Sequence, residues 1–210
     1  MLLPSLWPGV LVADAPPPED TPALGVYIHW PFCAAICPYC DFNVHPLRDM
    51  QAADWRKGYF LALEHARTLR ADGPVETVFF GGGTPSLMPP ELIADLLADI
   101  DRRWGLAAEA EISLEANPVS APEARLQALK AAGINRLSLG VQAFDAGALK
   151  FLGRTHSQEQ AEAAFVAARG IFDRASLDLI YARPEQTLAG WARELEYALA
   201  LEPAHMSLYQ

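Results

Sequence analysis

Cys33, Cys37 and Cys40 are all the cysteines of this 210-residue chain, and they stand together in "CAAICPYC". A thiolate is a soft metal ligand and a nucleophile, so thiols gathered this tightly point to chemistry. An odd number does not suit a disulfide framework, which pairs its cysteines. A structural zinc site takes four ligands, and His45 offers the fourth in the pattern C-x3-C-x2-C-x4-H. The alternative is a [4Fe–4S] cube in which three irons take a thiolate each and the remaining iron is left for a small molecule. The spacing alone leaves both open.

Two further groups could serve a ligand beside such a centre. In "VFFGGGTPSLM", Gly81, Gly82 and Gly83 end an apolar run, and backbone without side chains can approach a ligand closely. A glycine triplet by itself is also simply a turn. Glu115, Gln142 and Asp178 fall at or near the ends of three alternating runs, where a polar side chain meets either water or a ligand. His29, His156 and His205 each suit a hydrogen bond within the fold, and nothing in the sequence marks one as a ligand. Trp30, Trp55, Trp104 and Trp191 read as packing residues.

The elements that must position these groups follow a repeating rhythm. Strands are expected at 25–30, 76–82, 110–117, 136–142, 175–181 and 204–210. Helices are expected at 53–70, 90–104, 122–133, 157–170 and 188–203, with Gly133 and Gly170 closing two of them. Strands alternating with helices predict a parallel α/β architecture. Within the strands, Ser113, Glu115 and Asn117 share one face against Ile112, Leu114 and Ala116. Ser138 and Gln142 oppose Leu137, Leu139 and Val141; Ser176 and Asp178 oppose Leu177 and Leu179; Tyr27 and His29 stand together. A doubly wound parallel sheet is apolar on both faces. One apolar and one polar face instead predicts a sheet curled around a polar, ligand-holding interior.

Composition narrows the function classes. The chain is 51% hydrophobic and 20% charged, enough apolar material for a sizeable core. Its formal net charge of −10 and the absence of a basic cluster argue against a nucleic-acid partner. No apolar run is long enough for a membrane span. The start, "MLLPSLWPGVLVADAPPPED", lacks a basic region and is broken by prolines, so residues 1–23 are expected to be a disordered, proline-rich leader rather than a signal peptide. Clustered unpaired thiols suit a reducing compartment, and a cytoplasmic location is expected.

With these pieces in place, the chain resembles the radical S-adenosylmethionine superfamily. Over about 27–210 it is similar to one branch, the haem chaperones and the oxygen-independent coproporphyrinogen III oxidases. The shared stretches are "YIHWPFC", "GGGTPS", "EANP", "GINRLSLGVQAFD", "LKFLGRTH" and "DLIY". The resemblance implies a partial (β/α)6 barrel holding a [4Fe–4S] cluster on Cys33, Cys37 and Cys40. It also implies S-adenosylmethionine on the open iron, cleaved to a 5′-deoxyadenosyl radical by one electron from the cluster. Gly82, Gly83 and Thr84 then face the methionyl end of the cofactor, and Tyr39 stands beside its adenine. Tyr27, Glu115, Gln142, Arg154 and Asp178 meet its amino, ribose or adenine groups. Arg154 could equally pair with a carboxylate at the surface. The oxidases add a further cysteine, C-x3-C-x2-C-x-C, where this chain has Asp41 and Phe42, so the resemblance favours the chaperones over the oxidases. Haem or a porphyrin as cargo, a recipient haemoprotein and a protein reductant are the implied partners. Because Gln210 falls inside an expected strand, 24–210 is expected to be a core domain that lacks a C-terminal domain, and the chain a fragment or truncated reading frame.

Overall fold

Leu24–Trp30 forms β1, and Phe32–Cys33 (β2) and His45–Pro46 (β3) form a short parallel pair. The remaining strands are Val75–Gly82 (β4), Leu106–Ala116 (β5), Arg136–Gln142 (β6), Arg174–Ile180 (β7) and His205–Tyr209 (β8). The helices are Ala52–Leu69 (α1), Pro90–Trp104 (α2), Glu123–Ala131 (α3), Ala146–Phe151 (α4), Gln158–Ile171 (α5) and Leu188–Ala200 (α6). This computed structural model describes residues 24–49, 52–69 and 73–210; the expected leader, 1–23, lies outside them.

The main sheet runs in the order β1-β4-β5-β6-β7-β8 with every pair parallel. Strand order therefore advances in one direction, with no reversal. Parallel crossovers are right-handed, so an order without a reversal sends all the connecting helices to one face, whereas a doubly wound sheet turns back at a switch point. Burial agrees. Val78, Phe80, Leu114, Leu137, Leu139, Leu177 and Leu179 are fully enclosed and share one core with Ile93, Leu96, Ile100, Leu126, Leu129 and Phe165 of α2, α3 and α5. The opposite face carries Ser113, Glu115, Ser138, Ser176 and Asp178. The sheet is an open, partial barrel wall with a polar inside. Among the described residues no helix is long and apolar enough to cross a membrane.

The elements depart from the sequence expectation in several places, the unanticipated β2–β3 pair among them. β5 starts at Leu106 rather than Ala110, because pairing with β4 slips between Val75 and Thr77 and takes up extra residues. Gly170 lies inside α5, which runs on to Ile171, so only Gly133, at φ +111°, ends a helix as expected. Helix α4 was not anticipated: it is one short turn and a half, started by Asp145, whose side chain accepts from Ala148 N. α6 stops at Ala200 instead of Pro203, with Leu201 as its cap.

Among the described residues, four non-glycine residues adopt left-handed backbone: Gln142, Ala182, Glu185 and Glu202. Ala182, at φ +56°, is exposed and directly follows β7 and Tyr181. A left-handed L-residue costs about 1–2 kcal/mol, while glycine adds about 0.5–1 kcal/mol of chain entropy loss. Ala182→Gly is therefore expected to raise stability, by about 0.5–1 kcal/mol in urea titrations. Ala167→Gly, within α5, should lower it by a similar amount. A loss of stability in Ala182→Gly would contradict the assigned backbone.

Candidate metal and cofactor site

The cysteine loop hangs from the C-terminal end of β1 and is tied to the end of β4. Gly83 N donates to Trp30 O at 2.7 Å, and Thr84 N donates to Phe32 O at 2.9 Å. His45 N closes the loop on Pro31 O at 2.6 Å. Beneath it, Phe32 packs edge-on between Trp30 and Trp55, with ring centroids 5.3 and 5.1 Å away. Cys33 is buried and Cys37 and Cys40 half-buried, all three as free thiols. The glycines are required by space. A Cβ on Gly83 would lie 2.8 Å from Phe32 O and 3.0 Å from Cys33 Sγ. One on Gly82, whose φ is +110°, would lie 2.5 Å from the His29 ring.

Two donors point at sulfur. Thr84 Oγ1 donates to Cys33 Sγ and Arg154 Nη1 to Cys37 Sγ, each at 3.4 Å. Arg154 Nη1 also reaches the Tyr39 hydroxyl at 3.5 Å, and Nη2 donates to Gly140 O at 2.7 Å. Its Nε is buried with no partner. Gly153, at φ +67°, lets the chain pass Pro38, which a Cβ would meet at 2.6 Å. Arg154 thus bridges β6 to the cysteine loop, and its partners among the described residues are sulfur, a phenol and a carbonyl rather than a surface carboxylate.

Soft thiolates on a backbone stripped of side chains, with hydrogen bonds to the sulfurs, are a donor set that fits an iron–sulfur cluster. A cube spreads its thiolates over separate irons, so they need not converge. One zinc ion does require convergence. Among the described residues no three His, Cys, Asp or Glu side chains converge in that way, and His45 is exposed.

Below the loop lies the polar face of the sheet. Tyr27 stacks on Phe79, centroids 6.0 Å apart, and its hydroxyl lies 3.2 Å from His29 Nδ1. His29 Nε2 is 3.0 Å from Asn43 O; a carbonyl only accepts, so Nε2 carries the proton and, in the neutral ring, Nδ1 accepts from Tyr27. Gly82 N donates to Glu115 Oε2 at 3.1 Å, joining the loop region to the lumen. Ser138 Oγ donates to Asp178 Oδ1 at 2.8 Å. Gln142 ends β6 past a bulge, pairing with Leu179, yet its amide still lies over Gly140: a Cβ there would meet Gln142 Nε2 at 2.9 Å. The expected site residues therefore lie at or near the C-terminal ends of β4, β5, β6 and β7 or in the loops above them, except Tyr27, which is the middle residue of β1. Two of the three histidines left open make hydrogen bonds within the fold, His29 with Tyr27 and Asn43 and His156 Nε2 to Val141 O at 3.0 Å, while His205 is the exposed first residue of β8. The grip of Arg154 on Cys37 was not legible, because 117 positions separate them.

Burial dominates the electrostatics. It pushes the Cys33 thiol up, with the Thr84 hydroxyl pulling back. It raises Tyr39 to about 12 and lowers His156 to about 4. It raises Asp178, and it lifts Glu115 to about 7, the Gly82 N–H opposing and the Asp178 charge adding. The folded state thus holds the Glu115 proton more tightly than the unfolded chain, whose glutamates titrate near about 4.3. The contribution of Glu115 favours folding at low pH and is lost as pH rises from about 4 through about 7. The stability of wild type relative to Glu115→Gln should fall across that window and level off above it. A pH-independent difference between the two urea midpoints would contradict the buried carboxyl.

Comparison with known proteins agrees with this geometry. The family described as the Radical SAM superfamily matches residues 27–198. The chain is 42% identical over 197 residues to "Radical S-adenosyl methionine domain-containing protein 1, mitochondrial" of Bos taurus, covering 92% of this chain and 44% of the relative. It is 40% identical over 191 residues to "Heme chaperone HemW" of Escherichia coli, covering 90% and 50%. Among solved structures, coproporphyrinogen III oxidase (HemN) from Escherichia coli, a radical SAM enzyme, superposes with a TM-score of 0.78 at 32% identity, covering 89% of this chain and 44% of that one. The chain spans about half the length of the curated relatives it matches. With a match over most of its length, the chain belongs to the Radical SAM superfamily.

Proposed function

We propose that this chain is the cluster- and cofactor-binding core of a haem chaperone, with haem as cargo and a haemoprotein as recipient. Membership of the superfamily implies S-adenosylmethionine and a [4Fe–4S] cluster. In this reading Cys33, Cys37 and Cys40 hold the cluster. Gly82, Gly83 and Thr84 line the methionyl end of the cofactor. Tyr27, Tyr39, Glu115, Gln142, Arg154 and Asp178 orient the rest. When bound, the reduced cluster would supply one electron to the sulfonium of S-adenosylmethionine; the protein supplies position. The Thr84 and Arg154 donors steady the sulfurs, and Gly82 N–H holds the Glu115 carboxyl at the lumen wall.

The observation that carries the chaperone reading is Phe42. It stands exposed two residues after Cys40, where the resembling oxidases have a further cysteine, and it offers neither a thiolate nor a hydrogen bond. The name of the Escherichia coli relative supports the same choice. The likeness to coproporphyrinogen III oxidase supports the second reading, decarboxylation of a porphyrinogen. A cytoplasmic location and a protein reductant belong to the proposal; the bovine relative is named mitochondrial.

Anaerobically reconstituted protein should carry about four irons per chain, with an EPR signal that changes when S-adenosylmethionine is added. Cys33→Ala, Cys37→Ala and Cys40→Ala should each abolish the cluster, and His45→Ala should retain it; stoichiometric zinc with no bindable cluster overturns the proposal. Glu115→Ala and Asp178→Ala should retain iron and weaken S-adenosylmethionine binding by roughly one to two decades, the loss of a charged hydrogen bond. Haem should bind and pass to an apo-haemoprotein only with the cluster intact. Multiple-turnover decarboxylation of coproporphyrinogen III would promote the oxidase instead.

A further inference from the structure

The end of β6 is held in an unusual way. Pairing with β7 slips between Gly140 and Gln142, and Gln142 sits at φ +70°. This is left-handed backbone, which strains an L-residue such as glutamine. Three successive carbonyls here are met by side chains. Gly140 O accepts from Arg154 Nη2 at 2.7 Å, Val141 O from His156 Nε2 at 3.0 Å, and Gln142 O from Arg183 Nη1 at 3.5 Å. Past the bulge, Phe144 N donates to Glu194 Oε1 at 2.9 Å.

Arg183 and Glu194 form a two-pronged pair, with Nη1 to Oε1 at 3.1 Å and Nη2 on Oε2, and each side chain is only 8% exposed. Gln186 Nε2 adds a donor to Oε2 at 3.2 Å. One turn along α6 from Glu194, Tyr197 packs edge-on against Phe144 at 4.7 Å between centroids. A buried ion pair contributes little net stability against apolar residues of the same size, and its best-attested use is to select one conformation. Here the conformation selected is that of Gln142, whose amide lies over Gly140 beside Arg154.

We infer that Arg183, held by Glu194, is a positioning residue: the pair clamps the bulged end of β6 so that Gln142 stays left-handed with its amide turned into the S-adenosylmethionine site. The inference rests on the proposed role of Gln142, but the clamp itself is testable without the cofactor. The exchange Arg183→Leu with Glu194→Gln removes both charges together and leaves no buried ion unpaired. Arg183→Lys is the milder variant, keeping the charge and giving up the fork.

The first arm is a stability cycle on the full chain without cofactor. In wild type, Gln142→Gly relieves the left-handed strain and should shift the folding equilibrium about threefold toward the folded state. In the exchanged background, where Gln142 is free to relax, that gain should disappear; in Arg183→Lys it should shrink. An equal gain in all backgrounds overturns the clamp. The second arm measures S-adenosylmethionine affinity by EPR titration of reconstituted protein. The exchange should weaken affinity roughly threefold to tenfold with iron content unchanged, and should add nothing once Gln142→Ala is present. Losses that multiply independently overturn the inference. Wild type that binds no S-adenosylmethionine refutes the site reading instead, and the stability cycle then decides the clamp alone.

Discussion

The rest of the site depends on one steric constraint, the passage of Gly83 against the cysteine loop. Its backbone runs so close to Phe32 and Cys33 that no Cβ fits, and this proximity lets Gly83 N and Thr84 N pair with Trp30 O and Phe32 O. Those two hydrogen bonds extend the pairing of β1 with β4 beyond the sheet and into the loop. The Thr84 hydroxyl reaches Cys33 from the same place. Gly82, one residue earlier, yields its side-chain space to His29 and its N–H to Glu115. A turn without side chains thus connects the thiols to the lumen.

The lumen is polar because the sheet winds in one direction. With all its crossing helices on one side, the sheet buries a single apolar face, and the other is free to carry Glu115, Ser138, Ser176 and Asp178. Burying these groups is unfavourable unless they are hydrogen-bonded. Ser138 partners Asp178, and Arg136 spans Ser113 and Ser176 at 3.1 Å each. Burial raises the affinity of Glu115 for a proton, and its one backbone donor, Gly82 N–H, only partly opposes this. A cationic ligand beside it would favour its charged form.

Much of this was legible in the chain. The period-two pattern of "EISLEAN" and "RLSLGVQ" needs one wet and one dry face, and three thiols within eight residues mark the loop as a candidate metal site. Other parts were not legible, for identifiable reasons. Gln142 reads as the last regular residue of a strand, yet the bulge changes its partner, and the carbonyls around it are met by side chains from the loops before α5 and α6, which its own neighbours in sequence do not reveal. Helix α4 is too short to show a period. The alanine-rich start of β5 carries little strand propensity and is drawn into the sheet by β4. Arg154 looks like a cofactor contact or a surface charge from its neighbours alone; only the fold brings it to Cys37.

The most direct test of this account is the cluster content of Gly83→Ala after anaerobic reconstitution, with far-ultraviolet circular dichroism as the control for folding. One methyl group placed 3.0 Å from Cys33 Sγ and 2.8 Å from Phe32 O must push the cysteine loop off β4. The account predicts a folded protein with the wild-type spectrum and well under half the wild-type iron. A variant that takes up the full complement of iron, with the same response to S-adenosylmethionine, would contradict it.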